Sequence, residues 1–296
     1  MPELPEVEVL VRHLAPLVKG KTIRGVEVRR AKVIAPTSER QLREKLLGAK
    51  FIDLTRRGKY LLFALRSRNR KEPFTLVGHL GMTGRIYLSH KSAPLPKHAA
   101  VVLDLGKYQM IYEDTRYFGR LTLDTSGPGK LGPEPWSSEC TPAYLKSTLG
   151  RSTQAIKIKL LDQTLVSGVG NIYASEALFQ AGISPRVKAN KLKADQVTRL
   201  WQAIRRVLAN AIHQGSTVPL DFAGTDTRDG LFYYGQKGDA NGFYAERLLV
   251  YDRHGEPCSK CGTAIKRVVQ AARSTYFCPN CQRGGAKSVD APAVAS

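Results

Sequence analysis

Long apolar runs are missing from this sequence. No stretch reaches the about 20 consecutive apolar residues that a helix needs to cross a bilayer, so a membrane span is excluded. Nor does a basic segment followed by a continuous apolar one open the chain, which argues against a secretory signal and makes the cytoplasm the expected place of work. Cysteine is scarce, five in 296 residues, and without such a signal a disulfide framework is not expected. Acidic residues are scarce too: 25 Asp and Glu face 46 Lys and Arg, a formal charge of +21. That balance points to a polyanionic partner. Because the basic residues are spread through the chain rather than gathered in one helix or block, nucleic acid is favoured over acidic lipid. A generally basic, solvated surface is the plain alternative. Apolar and charged residues stand at an ordinary 42% and 24%, and the length suits about two domains with a small appended module.

Apolar spacing divides the chain. Val7, Leu10, Val11, Leu14, Leu17 and Val18 recur at three- and four-residue steps, which predicts an amphipathic helix over 5–20 ended at Gly20. From residue 22 the pattern changes to β-rich runs at 22–29, 50–56, 60–65, 74–88, 100–105 and 108–123, with a helix at 39–47. Gly106-Lys107 reads as a two-residue hairpin loop. Strands this short and regular predict a β-sandwich or barrel rather than a parallel sheet. Glycine and proline then crowd 124–136, which marks a linker. Beyond it helices are predicted at 141–149, 171–181 and 194–214. The run 155–162 alternates like a strand, but the turn Ser167-Gly168-Val169-Gly170 ties it to the next helix and argues for helix, turn and helix. Residues 217–241, with Phe232-Tyr233-Tyr234, read as a long functional loop, and 283–296 as a disordered tail.

The most specific motif is Cys258-x2-Cys261, sixteen residues, then Cys278-x2-Cys281. Four thiolates in two knuckles close a tetrahedron around zinc and leave no open position for water, which makes the site structural. It reads as a ribbon whose hairpin tip carries Lys266, Arg267 and Arg273. Cys140 is left over as a free thiol. At the other end, Pro2 is small enough for Met1 to be removed, which would expose a secondary amine. An α-amino group titrates at about 7.7–8.0, so part of it is free to attack a carbon centre near neutral pH, with Glu3 as an adjacent acid. The plain reading is a helix start, with Pro5 in its first turn and Glu6 and Glu8 at its positive end. The glycine turn before Asn171 offers N–H groups to an anion, although such turns are also ordinary packing. Gly58-Lys59-Tyr60 places a lysine between strands. Met82, between glycines, and Arg116 with Phe118, two apart on one strand, could be exposed wedges or common core.

Taken together, Pro2-Glu3-Leu4-Pro5-Glu6-Val7-Glu8, Gly58-Lys59-Tyr60-Leu61-Leu62, His79-Leu80-Gly81-Met82-Thr83-Gly84, the run from Gly168 through Asn171 to Phe179 and the four-cysteine ribbon resemble formamidopyrimidine-DNA glycosylases, in family order from Pro2 to about Gln282. The resemblance implies an α+β multidomain enzyme. Its expected parts are an N-terminal catalytic β-sandwich with flanking helices (2–130), a helix–two-turn–helix DNA-binding domain (137–245) with a lesion-capping loop at 217–241, a four-cysteine zinc ribbon (246–282) and the tail 283–296.

The implied activity is that of a bifunctional glycosylase and abasic-site lyase of base excision repair, removing oxidised purines such as 8-oxoguanine and formamidopyrimidines from flipped nucleotides. Pro2, Glu3 and Lys59 would be catalytic, with Lys59 also on a phosphate beside the lesion. His98, Arg116, Lys157, Asn171 and Arg273 would bind DNA. Met82, Arg116 and Phe118 would fill the hole left by the flipped nucleotide, and Glu6 would support the site. Cys258, Cys261, Cys278 and Cys281 would hold one structural zinc. Damaged duplex DNA is the expected partner of a monomer at the bacterial nucleoid. The sequence leaves two other readings open: an endonuclease VIII-like enzyme for oxidised pyrimidines, and a non-catalytic, zinc-stabilised protein that binds damaged DNA.

Overall fold

The computed structural model describes residues 2–67, 72–215 and 248–283. Met1, the expected loop 217–241 and the tail beyond Arg283 lie outside the described residues. The chain divides into two compact units. One holds 2–137 and 163–169 with the last turns of the long helix from residue 208; the other holds 138–162, 170–207 and the C-terminal segment from Leu248.

The first unit begins with α1 (Leu4–Val18), which has a proline in its first turn, where its missing N–H costs nothing, and ends before Gly20 at φ +80°. Leu10, Leu14 and Val18 line its buried face. After β1 (Gly25–Val28) comes α2 (Glu39–Leu46), started by a Ser38–Gln41 capping box. The strands β2 (Lys50–Arg57), β3 (Tyr60–Arg66), β4 (Pro73–His79), β5 (Gly84–His90), β6 (Ala99–Asp104), β7 (Tyr108–Asp114) and β8 (Arg120–Thr122) follow. They form two antiparallel four-stranded sheets, in the orders β1-β6-β7-β5 and β2-β3-β4-β8. One apolar core, including Leu10, Leu14, Phe51, Phe63, Leu103 and Tyr112, joins α1, α2 and both sheets.

The expected sandwich is there, with an instructive correction. Runs 74–88 and 108–123, each expected as one strand, are each two strands in different sheets: β4 and β8 pair in one, β5 and β7 in the other. The chain crosses between sheets at 80–83 and again at 115–119. Hydrophobic pattern alone does not reveal such a crossing, because residues on either side of it face the same core, and the glycines at 81, 84 and 119 are its only sequence mark. Since His79 pairs with Arg120 and Gly84 with Asp114, the two crossings run side by side.

The expected linker contains the short α3 (Ser126–Gly129) and is held to the first unit through Glu134, described below. In the second unit lie α4 (Pro142–Gly150), α5 (Ile156–Leu160), α6 (Asn171–Gln180) and most of α7 (Ala194–His213). Of the run 155–162, Ile156–Leu160 is helical, as its context argued, while Ala155 forms an isolated bridge with Lys188. The hairpin β9 (Lys266–Gln270) and β10 (Arg273–Phe277) completes the unit. It packs on α6 through Phe179, Val250, Ile265 and Tyr276, and Gln282 donates its amide to the Ile183 carbonyl at 2.9 Å.

Candidate active site

Two glycines bring the N-terminus and Lys59 to one place in the first unit. Gly58 and Lys59 form the two-residue loop between β2 and β3, with Gly58 at φ +58°. A Cβ on Gly58 would lie 2.7 Å from Leu131 Cδ1 and 3.7 Å from the Gly168 nitrogen. On the other side of Gly168, whose φ is +89°, an added Cβ would lie 2.6 Å from Leu4 Cβ, and the Leu4 N–H donates to the Gly168 carbonyl at 3.2 Å. Leu4 thus packs on Gly168 and Gly168 on Gly58, which brings Pro2-Glu3 and Lys59 to one corner, and Gly168 has no room for a side chain. Pro2, Glu3, Glu6 and Lys59 are all buried. Glu6 accepts the Glu3 N–H at 2.7 Å, which fixes the helix start, and Arg56 ties α1 to β2 through Glu8 at 2.8 Å.

Sequence reading missed the group that anchors this corner. Glu134 accepts the Gly58 N–H at 2.6 Å and pairs with Arg56 and Arg57, while Arg57 also donates to Ser167 at 2.9 Å. Close by, Tyr60 lies against His79, ring centroids 4.8 Å apart. Burial, then the charges of Lys59 and Arg120, push the His79 imidazole down to about 4, so it is neutral at physiological pH and accepts the Gly81 N–H.

The two sheet crossings carry Met82, Arg116 and Phe118. Arg116 and Phe118 do not sit on a strand as expected; they flank Tyr117, which has φ +53°, in the loop 115–119. They nevertheless meet, with the Arg116 guanidinium 4.8 Å from the Phe118 ring centroid and its Nη1 3.4 Å from Met82 Sδ. Met82 is 44% and Phe118 49% exposed, unusual for large apolar side chains and suited to insertion into a base stack. His98 lies beside this cluster, its Nδ1 3.4 Å from the Tyr117 hydroxyl.

In the second unit Lys157 and Asn171 are in contact. The buried Lys157 ammonium donates to Asn171 Oδ1 at 2.7 Å, and Asn171 Nδ2 donates to the Ser274 carbonyl at 2.9 Å. Ser274 follows Arg273, which is exposed at the start of β10 beside the turn Ala271-Ala272. The expected basic tip needs correction here. Lys266 and Arg267 pair with Phe277 and Tyr276 at the far end of the hairpin, leaving Arg273 alone at the tip. Both turn alanines are left-handed (φ 47° and 58°), a geometry that alanine gives no sequence signal for.

The sulfurs of Cys258, Cys261, Cys278 and Cys281 all lie within 4.8 Å of one another, among the described residues the one group of its kind. Burial and neighbouring thiols push Cys281 and Cys278 up, while hydrogen bonds from Thr263 and Asn280 pull Cys261 down to about 5. Four sulfurs this close can ionise together only around a cation, and an all-thiolate tetrahedron fits one structural zinc. A second missed group holds this segment: Glu176 on α6, 2% exposed, accepts the N–H groups of Leu249, Val250 and Tyr251 at 2.8–2.9 Å. Burial pushes its carboxyl up, against the three N–H groups that hold it down.

Family models match three segments: a formamidopyrimidine-DNA glycosylase N-terminal domain at residues 1–121, the H2TH domain of the same enzymes at 131–221, and a zinc finger found in FPG and IleRS at 255–284. The chain belongs to the formamidopyrimidine-DNA glycosylase family. Formamidopyrimidine-DNA glycosylase of Carboxydothermus hydrogenoformans is 39% identical over 283 residues, covering 96% of this chain and all of that one. Its Bacillus subtilis counterpart is 39% identical over 291 residues, 95% of this chain and 99% of that one. The structure is similar to that of a Lactococcus lactis FPG mutant with DNA containing Fapy-dG, with a TM-score of 0.84 and 33% identity over 96% of this chain and all of that one. A complex of MutM with DNA containing carbocyclic 8-oxo-G gives 0.83 and 34% over the same shares. As a member of this family the chain is a DNA glycosylase of base excision repair. Among the described residues no helix is long and apolar enough to cross a membrane.

Proposed function

We propose that this glycosylase removes oxidised purines from duplex DNA and then cuts the abasic site, with the Pro2 amine as nucleophile once Met1 is removed. The carrying observation is the packing of Leu4 on Gly168 and of Gly168 on Gly58, which sets the buried Pro2-Glu3 and Lys59 at one corner. A nucleophile held by packing meets its target in the productive orientation, and orientation supplies much of a rate enhancement.

The amine nitrogen attacks C1′ of the flipped nucleotide, and the bond from C1′ to the base breaks with its electron pair leaving on the purine. Glu3 supplies the proton that opens the sugar ring, giving an iminium between Pro2 and C1′. A secondary amine makes that iminium permanently cationic, which acidifies the C2′ proton. Loss of that proton expels the 3′ phosphate, and a second elimination expels the 5′ phosphate. Lys59, Lys157, Asn171 and Arg273 hold phosphates beside the lesion, and His98 adds a further DNA contact. Met82, Arg116 and Phe118 occupy the vacated space in the stack. Glu6 supports Glu3 by fixing its backbone. Zinc, when bound, closes the ribbon and takes no part in the chemistry. The relatives bound to Fapy-dG and to carbocyclic 8-oxo-G DNA support the purine as substrate.

Borohydride reduction in the presence of lesion-containing duplex tests this directly, with mass measurement of the mature N-terminus alongside. A covalent adduct through Pro2 is expected. An enzyme lacking Met1 that gives no adduct would overturn the mechanism. Excision from duplexes carrying 8-oxoguanine or thymine glycol tests the substrate, and a clear preference for the pyrimidine refutes the purine reading.

A further inference from the structure

We infer that Asp114 is a positioning residue that locks the Met82 loop and the Arg116–Phe118 loop into a single wedge, and so sets the preference of the enzyme for duplex over single-stranded substrate. The inference rests on the wedge reading proposed above. Asp114 ends β7 and is fully buried. Its Oδ1 accepts the Thr83 hydroxyl at 2.6 Å and the Arg116 N–H at 3.1 Å, and its Oδ2 accepts the Gly119 N–H at 2.9 Å. One carboxylate therefore holds the residue after Met82, the backbone of Arg116 and the residue after Phe118.

Neither loop has a ladder of its own. The first is a tight turn closed by the Gly84 N–H on the Leu80 carbonyl at 2.7 Å. The second contains left-handed Tyr117, a strained position for a residue with a side chain. The loops also lack room to shift independently, because a Cβ on Gly81 would lie 2.6 Å from the Gly119 nitrogen. Bonded to both, Asp114 makes their positions interdependent. A wedge assembled from two loops can enter a stack only if both present their side chains together, and it matters only where a second strand leaves an orphaned base.

The test compares borohydride trapping rates on an abasic site in duplex and in single-stranded DNA, for wild type, Asp114→Asn, Thr83→Val, Thr83→Ser and Phe118→Ala. Asp114→Asn places an amide N–H₂ against N–H or hydroxyl donors and is expected to lower the duplex-to-single-strand ratio about tenfold, with single-strand trapping changed less than threefold. Thr83→Val severs only the Met82 arm and is expected to lower the ratio about threefold; Thr83→Ser, which keeps the hydroxyl, restores it. Should Asp114→Asn fail to fold, the Thr83 pair decides. If Phe118→Ala lowers the ratio while Asp114→Asn and Thr83→Val leave it unchanged, the locking role is overturned. If Phe118→Ala leaves it unchanged as well, the wedge reading itself fails.

Discussion

Gly168→Ala is the substitution that most directly probes the proposed catalytic corner. Two costs arise at once. At φ +89° an alanine occupies a backbone region that L side chains avoid, worth about 1–3 kcal/mol. Its methyl would also lie 2.6 Å from Leu4 Cβ, an atom fixed to the α1 backbone that cannot rotate away. Overpacking of that kind adds about 1–3 kcal/mol. Relief requires the start of α1 to retreat by about 0.8 Å, from 2.6 Å to the 3.4 Å of ordinary contact. Pro2 and Glu3 travel with Leu4, and a misplacement of about 1 Å at reacting groups costs on the order of 100-fold in rate.

The measurement pairs urea unfolding with single-turnover trapping on abasic DNA under conditions where the variant is folded. Destabilisation of about 2–6 kcal/mol is expected, together with a fall of roughly 100-fold in trapping rate. Gly150→Ala, at the end of α4 where nothing lies within 4 Å of the new methyl, serves as the control and should leave the trapping rate within noise while holding stability or raising it by up to about 1 kcal/mol. If Gly168→Ala loses stability but its folded fraction traps at the wild-type rate, then Gly168 matters for packing alone, and the reasoning that places Pro2 through it is refuted.

Two other outcomes follow from buried groups. His79 is neutral in the native state and titrates normally, near 6.5, when unfolded, so the unfolded state binds the extra proton as pH falls. Stability should therefore be full above pH 6.5 and decline by up to about 3 kcal/mol toward pH 4; His79→Gln should flatten that stretch in urea titrations, and an unchanged slope would exclude His79 as the cause. Glu176→Ala orphans the three N–H groups of Leu249, Val250 and Tyr251 and should cost at least about 3 kcal/mol in thermal unfolding. A loss below about 1 kcal/mol would mean that water replaces the carboxylate without penalty.

Much of this molecule is legible in its sequence. The cysteine spacing fixes four ligands because tetrahedral coordination demands two knuckles, and the 3.6-residue periodicity places α1, α6 and α7 almost to the residue. That 74–88 and 108–123 each bend from one sheet to the other is marked in the sequence only by Gly81, Gly84 and Gly119, and a glycine within a strand-like run does not say which sheet the chain enters next. Nor could local chemistry place Lys266 and Arg267 away from the hairpin tip. That depended on a turn of two left-handed alanines, where propensity expects glycine or asparagine. The resemblance named Met82, Arg116 and Phe118, but their meeting follows from the side-by-side crossings, which is a property of topology.

The missed groups share a chemistry. Glu134, Asp114 and Glu176 are carboxylates whose partners include backbone N–H groups of the loops they hold, and backbone partners leave no trace in sequence. Their use also resolves a tension in the composition. A chain that must attract phosphates cannot spend many surface acids on pinning its loops, because each would cancel a nearby cation and weaken the field the DNA meets. Buried carboxylates such as Asp114 and Glu176 avoid this, since they face N–H and hydroxyl donors inside the fold rather than the surface that the DNA meets. Scarcity of acid in this sequence therefore goes with concentration of function in the acids that remain.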